Sequence, residues 1–116
     1  MNEIEQLLKS GADANTSDKN NFTLLMNFVE KGDEDTVKLL LDYGAKVNEK
    51  DLFKMSALDY AIKRKKLNIA KLLVKSGAII TSDNYMFAVE SNYKELVSFF
   101  DTLDPNKYIF LKNKMK

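Results

Sequence analysis

Apolar residues fall at helical spacing in short stretches, with polar breaks between them. Leu25, Phe28 and Val29 share one face of a first helix, and Val37, Leu40 and Leu41 share one face of a second. Gly32-Asp33 separates the two, so the pattern predicts a hairpin of short one-faced helices. Thr23 and Ser56 are good N-caps, and Ser56 with Asp59 three residues on outlines a capping box. Asp33 is a candidate N-cap for the second helix, and Gly44 and Gly77 sit where a left-handed residue ends it. At the break matching Gly32 stands Lys65, a weaker turn signal.

The hairpin recurs. Leu7-Leu8-Lys9-Ser10-Gly11-Ala12, Leu40-Leu41-Asp42-Tyr43-Gly44-Ala45 and Leu73-Val74-Lys75-Ser76-Gly77-Ala78 place their glycines at 11, 44 and 77, a constant period of about 33 residues. The same offset carries Ile4 onto Val37 and Ala70, Asp18 onto Asp51, Thr23 onto Ser56, Leu25 onto Leu58 and Phe28 onto Ala61. A lone hairpin cannot enclose its own apolar face, so neighbouring units must stack to share a core.

On these residues the chain resembles the ankyrin-repeat family. Residues 18–50 show Thr23-Leu24-Leu25-Met26, Val37, Leu39-Leu40, Gly44-Ala45 and Val47-Asn48. Residues 51–83 show Ser56-Ala57-Leu58-Asp59-Tyr60-Ala61, Ile69-Ala70, Leu72-Leu73 and Gly77-Ala78. Leu24 and Ala57 replace the family's usual proline, and Met26 and Asp59 replace the histidine that ties neighbouring turns together. The resemblance implies an all-α solenoid of stacked helix-turn-helix units with β-turn fingers, less rigid than the family norm.

The expected organisation is a single domain: a half unit or cap over 1–17, full units over 18–50 and 51–83, a shortened unit over 84–103, and a capping helix or tail over 104–116. In the half unit Ile4, Leu7 and Leu8 are expected to point inward. In the shortened unit Ala88 and Val89 match Ala61 and Ile62, an offset six residues short of the period, and Leu96, Val97, Phe99 and Phe100 supply the second-helix core. Asp104-Pro105 reads as a helix start before Tyr108-Ile109-Phe110-Leu111 and the lysine-rich end, Lys112 to Lys116.

Composition narrows the chemistry. With no Cys and no His, disulfides, thiolate nucleophiles, cysteine-based zinc sites and the commonest general base are excluded. There is no glycine-rich phosphate loop and no metal-ligand spacing. Asp33-Glu34-Asp35 sits at a helix amino end, where capping accounts for it. The expectation is a non-enzyme with no cofactor and no metal. Eighteen basic against seventeen acidic residues leave no global field for nucleic acid. No window approaches a membrane span and the amino terminus is acidic, so the simplest expectation is a cytoplasmic protein.

The resemblance implies binding of another protein through the fingertips and the concave face of the first helices. Those positions hold Lys19, Asn20, Phe22, Glu30, Lys31, Leu52, Phe53, Met55, Lys63 and Arg64, and Tyr43 joins them as a candidate contact aromatic. Leu52, Phe53 and Met55 stand out, because a turn projecting into water is ordinarily polar. Two other readings remain open at this point. Lys63-Arg64-Lys65-Lys66 and the lysine-rich end could hold nucleic acid or another anion, and the Ile4, Leu7, Leu8 face could serve self-association or a larger repeat assembly.

Overall fold

A computed structural model describes residues 3–107, which hold seven α-helices and no strand. The helices are α1 (Glu3–Lys9), α2 (Leu24–Lys31), α3 (Glu34–Asp42), α4 (Ala57–Lys63), α5 (Leu67–Lys75), α6 (Ser82–Glu90) and α7 (Lys94–Leu103). They fall into two compact units, Met1–Ile79 with α1 to α5 and Ile80–Lys116 with α6 and α7. Residues 108–116, with the Tyr108 to Leu111 run of the expected capping helix or tail and the Lys112 to Lys116 end, lie outside the described residues.

In the first unit α2 pairs with α3 and α4 with α5 as hairpins. Across the repeat α2 packs on α4, α3 on α5 and α1 on α3. Each first helix therefore meets the next first helix and each second helix the next second, as stacking requires. Leu25, Met26, Val29, Val37, Leu40, Leu58, Ala61, Ile69, Ala70 and Leu73 are all buried in this core.

Local chemistry sets the helix boundaries. The side chains of Thr23, Ser56 and Thr81 accept from the backbone N–H three residues on, each in a reciprocal capping box, and Asp33 caps α3 through Thr36 N–H. Met26 and Asp59 act inside these boxes: Met26 Sδ accepts from Thr23 N–H at 3.4 Å, and Asp59 Oδ2 accepts from Ser56 N–H at 2.8 Å. The break between paired helices repeats at Gly32, Lys65 and Asn92, all left-handed. In each the next residue's N–H reaches back to Phe28, Ala61 or Ala88. The missing glycine at 65 leaves the turn unchanged and places its cost on a lysine.

The half unit departs from expectation. Leu8 is buried, Ile4 is half-buried, and Leu7 is 50% exposed. The reason is that α1 packs on α3 with no paired first helix among the described residues, which leaves part of its apolar face uncovered. Phe28 and Leu41 in the full units are only half-buried, whereas Met26 is fully enclosed.

In the second unit Tyr85, Leu96 and Phe100 are fully enclosed, while Val97 and Phe99 are half-buried. The Tyr85 hydroxyl donates to Asp101 Oδ1 at 2.9 Å, joining α6 to α7. Only Ile79 and Ile80 stand between Ala78 and the cap Thr81, so the finger is lost, and α6 starts at Ser82, ahead of the expected boundary at 84. Asp104 initiates a turn, its carbonyl accepting from Lys107 N–H at 3.2 Å.

Candidate partner-binding surface

Both fingers of the first unit are built on an aspartate. Asp18 Oδ1 accepts from Asn20 N–H (2.8 Å) and Phe22 N–H (3.0 Å), and Asp51 Oδ1 accepts from Phe53 N–H (2.9 Å) and Met55 N–H (3.0 Å). Asn21 and Lys54 complete the turns in left-handed conformation. The fingers are tied at their tips, where Leu52 N–H donates to Asn20 O at 2.9 Å.

The second finger is held further down by a side chain from α4. The Tyr60 hydroxyl donates to Asp51 Oδ2, and the Phe22 ring meets Tyr60 edge-on at 5.5 Å between centroids. Asp51 is 5% exposed, so its carboxylate is buried with both oxygens engaged. Burial first, and then the hydrogen bond and charge of Asp51, push the Tyr60 phenol well above the ordinary tyrosine range.

This frame displays Leu52 at 61% and Phe53 at 76% exposure, whereas Met55 is half-buried. The expected trio of apolar tip residues is thus a pair, with Met55 in the descending arm where its N–H binds Asp51. Phe22 is half-buried against Tyr60, and Lys19 and Asn20 are exposed at the first tip.

On the first helices Glu30 and Arg64 pair across the repeat. Arg64 Nε lies 3.2 Å from both carboxylate oxygens and a terminal guanidinium nitrogen 2.8 Å from Oε2. The hydrogen bond and charge of Glu30 raise the Arg64 pKa further. Lys31 extends its ammonium over the Phe28 ring, 5.0 Å from the centroid, and Lys63 is exposed at the end of α4. Tyr43 stands apart as the C-cap of α3, on a second helix, 42% exposed.

Three side chains outside the expected binding positions also set this geometry. Tyr60 is one of them, through its bond to Asp51. Asn15 and Asn48, one period apart, act as staples: Asn15 Nδ2 donates to Gly44 O (3.3 Å) and its Oδ1 accepts from Lys46 N–H (2.7 Å), while Asn48 does the same with Gly77 O (3.0 Å) and Ile79 N–H (2.8 Å). Their common place in the period was the available signal.

Among the described residues no group of three or more Asp or Glu could hold a metal ion, and no helix is long and apolar enough to cross a membrane. The family model for ankyrin repeats (3 copies) matches residues 1–84. An ankyrin repeat protein of Fowlpox virus (strain NVSL) is 35% identical over 80 residues, 69% of this chain and 12% of the relative. An ankyrin repeat protein of Acanthamoeba polyphaga mimivirus is 39% identical over 80 residues, 65% of this chain and 49% of the relative. The chain therefore spans about an eighth of one relative and about half of the other. Ankyrin repeats are in general protein-interaction modules without catalytic function of their own. With the family model matched over most of its length and the hairpin stack built as the period requires, this chain belongs to the ankyrin-repeat family.

Proposed function

We propose that the chain is a non-catalytic protein-binding module, acting as an adaptor, inhibitor or immunity-type protein, with Leu52 and Phe53 as its anchors. The observation that carries this reading is the exposure of two large apolar side chains on a finger fastened at its base, flank and tip. A fastened finger loses little further entropy on binding, and covering each side chain yields about 1.5–3 kcal/mol before association costs. Asn20, Lys19 and the Glu30, Lys31, Lys63, Arg64 surface supply the polar surroundings that set specificity.

The Glu30–Arg64 pair favours this reading over a nucleic-acid one, because it takes one of the four cations at 63–66 out of play for phosphate. The test is a Leu52→Ser, Phe53→Ser variant with the same helical signal and melting temperature as the parent. Both chains are used to retain proteins from a lysate of the source organism. Loss of a specific partner by the variant supports the tip as anchor; identical retention refutes it.

A further inference from the structure

The tip that displays Leu52 and Phe53 also has a sign of charge. The bond from Leu52 N–H to Asn20 O joins residues 19–21 and 52–54 into one strip. That strip carries two exposed cations, Lys19 and Lys54, and no carboxylate. Of the acids next to it, Asp18 is exposed and turns Oδ1 onto the amides of its own finger, and Asp51 is buried with Oδ1 on the amides of Phe53 and Met55 and Oδ2 on the Tyr60 hydroxyl. Glu49 and Lys50 precede the second finger as an opposite-signed pair and leave the balance unchanged.

Lys54 is held at φ +63°. At the matching place in the first finger stands Asn21, at φ +59°, a residue type that tolerates this conformation. Lysine does not, and Gly or Asn would serve the turn better. At Lys54 that strain is taken by an exposed side chain beside Leu52 and Phe53, which points to what it does outside the fold.

We propose that this strip docks an acidic–apolar peptide segment of a protein partner. Leu52 and Phe53 cover an apolar side chain, and Lys19 and Lys54 pair with carboxylates flanking it. The inference rests on the partner-binding reading above and adds to it the chemistry of the partner.

The test selects short random peptides displayed on phage against the full chain. Enriched peptides are then synthesised and titrated against the parent and the variants Lys54→Gly, Lys54→Arg and Leu52→Ser, Phe53→Ser. The expected peptides carry Asp or Glu on either side of Leu, Ile or Phe, and bind more weakly as salt is raised. Lys54→Gly is expected to bind them on the order of five-fold more weakly while melting at the same or a higher temperature. Lys54→Arg keeps both properties. Peptides that need Leu52 and Phe53 but are neutral or basic, or that bind Lys54→Gly as tightly, overturn the acidic assignment and leave the partner-binding reading standing. A Lys54→Gly chain that melts lower assigns Lys54 to the fold and overturns it too. Peptides indifferent to Leu52→Ser, Phe53→Ser, or no enrichment at all, sink both.

Discussion

Tyr60 shows how one side chain can serve fold and surface together. Its hydroxyl satisfies Asp51 Oδ2, on a side chain that is buried. Tyr60→Phe leaves that oxygen bare, and a loss of about 1–3 kcal/mol is expected in urea unfolding. The same pair sets a pH dependence. The folded-state pKa of Tyr60 lies above the unfolded value of about 10, so the native chain holds the proton longer. The stability this contributes is full below about pH 10 and falls as pH rises above it. Ultraviolet titration of tyrosinate should find a late-ionising group that Tyr60→Phe removes. Lys65 offers the opposite case. It holds φ +55° where Gly32 holds φ +72°. Lys65→Gly relieves about 1–2 kcal/mol of left-handed penalty against about 0.4–1 kcal/mol of added chain entropy, so a small rise in melting temperature is expected.

At the scale of elements, caps matter because the helices are only 7 to 10 residues long, well below what is stable alone in water. Ser56→Ala removes the side chain that accepts from Asp59 N–H and donates to Asp59 Oδ2. A cost of about 1 kcal/mol is expected, read as a lower unfolding midpoint with an unchanged slope. The second helices α5 and α7 have no side-chain cap at Lys66 and Tyr93, and so depend on packing against their partners α4 and α6.

Across the molecule, stability is shared between neighbours, so position in the stack decides the cost of a deletion. Leu40 is fully buried on α3, which packs against α1, α2 and α5. Leu40→Ala is expected to cost about 2–5 kcal/mol, a large part of the 5–15 kcal/mol typical of a whole domain. Leu7→Ala, on the half-exposed face of α1, should stay within about 0.5 kcal/mol. Denaturant titration of the two variants side by side measures the contrast. Asn48→Ala removes both bonds to the loop at Gly77 and Ile79, and should lower the midpoint by more than an ordinary surface change.

The caps and the left-handed ends were written in the chain itself, because each depends on residues within about four positions of one another, and the hairpin and its period followed from the recurrence of those signals and of the apolar spacing. So was the apolar character of the second fingertip. What the chain did not reveal is which of several equivalent residues face water. Leu7 and Leu8 are adjacent leucines, and only the packing of α1 on α3 separates the exposed one from the buried one. Met55 reads like Leu52 and Phe53 until the Asp51 turn draws it into the finger's descending arm. Asp18 and Asp51 occupy the same place in the period, yet only Asp51 meets a tyrosine, nine residues on and across a turn. Such pairings depend on where two backbones bring their side chains, which the order of residues constrains but tertiary contact alone decides.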